Sequence, residues 1–137
     1  MTKTFIRGSG LGGGIGSILY SEKPSQPREY FLYNVIGSVV VTCNQMGNEV
    51  STSLYEAFGK VIASTGSSDN SRLFCTKERS ESIGLDNFGF RYFDWDIGRF
   101  IQRDPSGYPD GLNNYLYCSN NPINRIDPLG LEENDKK

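Results

Sequence analysis

A repeated phrase constrains this chain more than any other feature. Tyr33-Asn34-Val35-Ile36-Gly37-Ser38-Val39-Val40 aligns with Tyr55-Glu56-Ala57-Phe58-Gly59-Lys60-Val61-Ile62, offset by 22 residues. A third, expanded copy is Phe93-Asp94-Trp95-Asp96-Ile97-Gly98-Arg99-Phe100. Each copy is an aromatic, a polar residue, a short turn closed by Gly, and then an apolar strand. The polar side chain suits a bond to nearby backbone, and Gly tolerates the positive φ that such a turn needs. Units of this kind bury an apolar face only against their neighbours, which predicts an array of strand–turn–strand repeats. Gly47-Asn48 adds a hairpin turn, and residues 65–71 read as a surface loop. Residues 73–78 read as a further strand, and residues 83–94 alternate large with small as in a half-buried hairpin. The predicted fold is all-β, an array of twisted antiparallel hairpins. One short helical turn is expected near the C-terminus, opened by Asn121-Pro122 and running through Arg125.

Composition removes whole classes of function. The net charge is −2 with Lys and Arg scattered, which argues against a nucleic-acid surface or a polybasic membrane patch. No apolar run reaches the length of a membrane span, and the N-terminus lacks the apolar core of a signal peptide. There is no His, so His-based general bases, triads and most zinc sites are excluded. Cys43, Cys75 and Cys118 form no CxxC pair and are expected as reduced thiols, Cys43 and Cys118 in packing roles. No cofactor and no metal is expected. Gly8, Gly10 and Gly13 satisfy G-x-G-x-x-G, but a strand and then Pro24 and Pro27 follow. No helix N-terminus is available there for a pyrophosphate, and the glycines are assigned to a tight bend.

The last third, residues 98–131, carries the candidate chemistry. It holds Asp104-Pro105-Ser106-Gly107 and Asp127-Pro128-Leu129-Gly130, with Pro105, Pro109 and Pro122 forbidding a long helix. Asp-Pro often only starts a turn, its carboxylate accepting backbone N–H bonds. Peptide hydrolysis in a chain without His or a reactive Cys nevertheless falls to carboxylates. Two held close cannot both ionise, so one activates water while the protonated one polarises the carbonyl. The candidates are Asp104, Asp110 and Asp127. Arg103, or secondarily Arg99, would orient a carboxylate or stabilise oxyanion charge.

The two phrases Asp104-Pro105-Ser106-Gly107-Tyr108 and Asp127-Pro128-Leu129-Gly130-Leu131 with eighteen residues between them, the run over residues 83–94 and the Gly-rich stretch from Arg7 to Gly16 resemble the C-terminal core of Rhs (YD-repeat) proteins. The resemblance covers about residues 7–131, with Asn34 and Glu56 replacing the usual Asp and Tyr108 replacing a Leu. It implies a segment of a bacterial β-shell wrapped around a toxic C-terminal effector, and self-cleavage after the second Asp-Pro-x-Gly-Leu. The implied bond joins Leu131 to Glu132, with Asp104 and Asp127 as the two aspartates. The implied organisation is a Gly-rich opening segment over 1–29, hairpin repeats over 30–97, a closing segment over 98–131 and a disordered tail over 132–137. That tail is too short to be a toxin, so an orphan or truncated copy is expected.

Any activity would be intramolecular, with no external substrate. The implied partners are the rest of the shell or an effector, together with self-association through open sheet edges. Localisation follows the larger system: cytoplasmic until exported, or secreted, or at the cell surface. The alternative is a non-enzymatic interaction module or an inactive fragment. In that case Tyr30, Phe31, Tyr33, Tyr55, Tyr92, Phe93, Trp95, Tyr115 and Tyr117 either present a sugar- or protein-binding face or form cross-strand core pairs. Asp94 and Asp96 beside Trp95 are spaced like a glycosidase pair but have no third supporting feature.

Overall fold

The first sheet is set by one turn design used three times. At residues 34–37, the Asn34 carboxamide oxygen accepts the N–H groups of Ile36 and Ser38. At residues 44–47, Asn44 does the same for Met46 and Asn48. At residues 56–59 the backbone closure recurs, with Gly59 N–H on the Glu56 carbonyl at 2.9 Å and Glu56 N–H on the Lys60 carbonyl at 2.8 Å. The sequence repeat is therefore two hairpins long. In this computed structural model, which describes residues 2–9, 15–108 and 111–135, six strands form a meander. They are β1 (Thr4–Arg7), β2 (Ile18–Glu22), β3 (Glu29–Tyr33), β4 (Val39–Cys43), β5 (Glu49–Tyr55) and β6 (Val61–Gly66), each antiparallel to the next. Register shifts fall beside the turns, at Leu32/Tyr33, Thr42/Cys43 and Leu54/Tyr55, where bulges add right-handed twist.

A second sheet holds β7 (Glu78–Ser80), β8 (Leu85–Asn87), β9 (Tyr92–Asp94) and β10 (Arg99–Phe100) in antiparallel order. The hairpin expected over residues 83–94 is the β8–β9 pair. The strand expected over residues 73–78 begins only at Glu78. Before it, Phe74–Thr76 is a tight turn with Cys75 and Thr76 at φ 47° and 58°. Tertiary bonds impose that left-handed backbone. Cys75 N–H donates to Ser38 Oγ at 3.0 Å, and the Thr76 hydroxyl links Gly16 N–H to the Gly37 carbonyl.

A third, two-stranded piece pairs β11 (Arg125–Ile126) with β12 (Asn134–Asp135). Residues 134 and 135 of the tail expected to be disordered lie in this pairing, and residues 136 and 137 lie outside the described residues. The tail's charge is matched locally, with Glu133 accepting from Arg125 and from Ser119 Oγ. The helical turn after Asn121 is present as a single turn, the Asn121 carbonyl accepting the N–H groups of Asn124 and Arg125.

Phe74, Phe88, Phe93, Phe100 and Tyr117 meet where these pieces converge, each at most 2% exposed. Ring centroids lie from 4.7 Å (Phe93 and Tyr117) to 6.5 Å (Phe74 and Phe88) apart. Ile15, Ile36, Ile126 and the thiols Cys75 and Cys118 complete this core. A smaller cluster of Ile18, Phe31 and Val39 packs with Phe5 and Tyr33 within the first sheet. Phe31, Phe93 and Tyr117 are therefore core residues and not part of a binding face. Asp94 accepts the N–H groups of Asp96 and Ile97, and Asp96 pairs with Lys60 at 2.7 Å. That carboxylate pair builds a turn.

Candidate functional site: two buried aspartates bridged by one arginine

Asp127 directly follows β11 and repeats the turn device seen at Asn34, in a stronger form. Its Oδ1 accepts three N–H groups, from Leu129 at 3.3 Å, Gly130 at 2.7 Å and Leu131 at 3.0 Å. A carboxylate, unlike a carboxamide, has a second oxygen to spend as an acceptor. Asp127 Oδ2 faces Arg91 Nη2 at 3.2 Å, and the same nitrogen faces Asp104 Oδ2 at 3.0 Å. Asp104 Oδ1 caps its own turn through Ser106 N–H at 2.8 Å, and Asp104 N–H donates to the Asn114 carbonyl at 3.1 Å.

Arg91 lies between β8 and β9 with its side chain 2% exposed. Its Nε donates to the Gly130 carbonyl at 2.7 Å and its Nη1 to the Asn114 carbonyl at 3.1 Å. Its guanidinium sits 3.8 Å over the Phe100 ring. The planar fork thus ties both Asp-Pro turns to the aromatic core, a geometry a lysine could not reproduce.

The electrostatics are those of charge removed from water. Burial pushes the Asp127 carboxyl above its ordinary range, opposed by the Leu131 N–H, by Arg91 and by the N–H groups of Gly130 and Leu129. Close by, Lys77 Nζ donates to the Pro128 carbonyl and lies 5.3 Å from the centre of the Phe88 ring. Burial pushes the Lys77 ammonium down to about 8. A second buried ion pair, Arg79 with Asp86, is bidentate at 2.8 Å on both oxygens and stands over Trp95. It braces the second sheet against the Gly59 carbonyl, apart from the Asp-Pro turns.

Of the residues singled out in the sequence, Asp104 and Asp127 are brought together although 22 residues separate them. Arg103 is not between them. Its side chain is exposed and its Nη2 donates to the Tyr108 hydroxyl at 3.3 Å. Arg99 is exposed on β10. Asp110 lies outside the described residues. Leu131 is half-buried with its N–H on Asp127, and Glu132 is exposed. Sequence reasoning missed Arg91 and Lys77. The available signal was a lone cation inside an aromatic run, Phe88-Gly89-Phe90-Arg91-Tyr92-Phe93, and likewise Lys77 after Leu73-Phe74-Cys75-Thr76. A charge in such a setting is buried only with partners.

Fold and site together define a set of antiparallel β-sheets that share an aromatic core with a buried aspartate–arginine cluster beside it. No protein-family model matches the chain. It is 31% identical over 120 residues to double-stranded DNA deaminase toxin A of Burkholderia cenocepacia (strain H111), covering 84% of this chain and 8% of that protein. It is 33% identical over 116 residues to toxin subunit YenC1 of Yersinia entomophaga, covering 81% of this chain and 12% of that protein. Among solved structures, it matches the crystal structure of TcdB2-TccC3 without hypervariable C-terminal region. That match has a TM-score of 0.77 at 29% identity, over 90% of this chain and 6% of that one. The relatives are Rhs-type, toxin-related proteins, and the chain shares the β-shell fold of the Tc toxin structures. It spans only about a tenth of the length of the curated relatives it matches. Among the described residues, no helix is long and apolar enough to cross a membrane.

Proposed function

We propose that this chain is an Rhs repeat-associated core module, a β-shell segment that encloses or anchors a C-terminal effector and cuts the bond joining Leu131 to Glu132. The observation that carries this reading is the single Arg91 nitrogen bridging the buried carboxylates of Asp104 and Asp127, at a turn whose last held N–H belongs to Leu131. In the chemistry such a pair supports, one carboxylate takes a proton from water as the water oxygen adds to the Leu131 carbonyl carbon. The protonated partner polarises the carbonyl oxygen. Collapse breaks the C–N bond, and the Glu132 nitrogen leaves with a proton. Burial moves Asp127 in the direction this division of roles requires. The partner on this reading is the rest of a shell or an effector segment.

A second reading is favoured by one specific observation. Asp127 Oδ1 already accepts three backbone N–H groups and Oδ2 faces Arg91, a coordination that suits a permanently ionised clamp. The cluster would then hold the closing segment in place without chemistry. The intact mass of the purified chain, taken fresh and after long incubation, separates the two. Loss of residues 132–137 that Asp104→Asn blocks supports self-cleavage. A full-length mass throughout, with Asp104→Asn lowering only the melting temperature, supports the clamp.

A further inference from the structure

The backbone around the candidate scissile bond is held on both edges up to Leu131. Its N–H groups at Leu129, Gly130 and Leu131 converge on Asp127 Oδ1. Its carbonyls at Leu129 and Gly130 accept from Phe90 N–H at 3.1 Å and Arg91 Nε at 2.7 Å, two donors from one stretch of chain. The Pro128 carbonyl is held from elsewhere, by Lys77 Nζ at 2.5 Å, reaching across from the residue before β7. The peptide group joining Leu131 to Glu132 is the next one along.

Lys77 is otherwise hard to account for. It is 6% exposed, and none of the ion pairs among the described residues includes it. An amine removed from water with no carboxylate at ion-pair distance is unfavourable: burial lowers its proton affinity, and the charge of Asp127 only partly offsets that. A methionine would fill the same space against Phe88 without that cost. What lysine alone provides here is reach and a donor for Pro128. We propose that Lys77 is a positioning residue for the cut after Leu131, fixing the Asp127 turn through the Pro128 carbonyl so that the Leu131 carbonyl stays in line with the aspartate pair. The proposal rests on the self-cleavage reading. A displacement of about 1 Å at a reacting group lowers a rate by as much as ~100-fold, so a loosened turn has a large kinetic effect.

The test is the time course of intact mass for the full chain as wild type, Lys77→Met and Lys77→Arg, with the melting temperature of each. Lys77→Met is expected to slow the loss of residues 132–137 by about tenfold or more while its melting temperature does not fall. Lys77→Arg, which keeps a long cationic donor, is expected to recover most of the rate. A merely structural lysine would lower rate and melting temperature together, and that outcome overturns the proposal. So does a Lys77→Met protein that cuts as fast as wild type, and in that case the self-cleavage reading survives. A wild type that never loses residues 132–137 removes both. Should Lys77→Met fail to fold, Lys77→Gln carries the same comparison, since its amide is polar but too short to reach Pro128.

Discussion

Asp127 shows how much hangs on the difference between a carboxylate and a carboxamide. Asn34 and Asn44 make the same kind of turn with one oxygen, so Asp127→Asn preserves the turn while an uncharged NH2 donor replaces the carboxylate oxygen facing Arg91. We expect Asp127→Asn to cost about 2 kcal/mol in urea unfolding, and Asp127→Ala, which also orphans three N–H groups, about 4 kcal/mol. Equal costs would mean that the turn bonds contribute nothing. Lys77 gives a prediction in pH. Burial holds its folded-state value near 8, below its ordinary 10.5, so between those values the unfolded chain binds the proton and the folded chain does not. The stability it contributes is fully present above about pH 10.5, declines as pH falls towards 8, and is gone below that. The stability of wild type relative to Lys77→Met should therefore rise by roughly 3 kcal/mol across that window. A difference independent of pH from 7.5 to 10.5 would contradict the burial argument.

Elements were legible in the sequence where local chemistry decided them. Asn or Asp followed three residues later by Gly marks a turn by itself, which is why the meander could be read from residues 33–62. The left-handed turns at Phe74–Thr76 and Cys118–Asn120 were not legible. Their positive-φ residues are not glycines, and at the first of them it is partners 37 and more residues away that hold the shape. Strand β12 was hidden for a similar reason, because a charged run reads as solvated until Arg125 and Ser119 are seen beside it. The aspartate pair was legible as a pair, but its arginine was not, since Arg103 is adjacent in sequence and Arg91 only in space.

The turn glycines allow a comparison within one protein. An added Cβ at Gly59 would meet the Phe74 ring at 2.4 Å, whereas at Gly47 it would meet nothing within 4 Å, and both sit near φ 85°. Gly47→Ala should cost about 1 kcal/mol for backbone strain alone, and Gly59→Ala about 3 kcal/mol once displacement of Phe74 is added. Thermal denaturation checks the gap. Equal shifts would show that Phe74 yields freely and that the core is looser than its ring packing implies.

At the scale of the whole molecule, one aromatic core serves three separately hydrogen-bonded pieces. Phe74 precedes β7, Phe88 and Phe93 flank the β8–β9 connection, Phe100 ends β10, and Tyr117 brings in the closing segment. Among the described residues between β10 and β11 that segment forms no named strand, and it is held by this core, by Arg91 on the Asn114 carbonyl and by Phe100 N–H on the Tyr115 carbonyl. The first sheet, by contrast, ends openly. Among the described residues β6 pairs only with β5 and β1 only with β2, which leaves two free edges. β6 is a particular hazard, because residues 62–66 are exposed and the strand carries no Lys or Pro to discourage pairing. A net charge of −2 supplies little repulsion. In a longer shell such an edge would be met by further strands, so on its own this chain should pair with itself. Sedimentation velocity over a range of concentrations should reveal mass-dependent association. Ile62→Lys with Ser64→Lys, which places charge along the β6 edge, should shift the equilibrium towards monomer without lowering the melting temperature. A monomer at every concentration would mean that the β6 edge does not recruit a second copy, and would overturn this prediction.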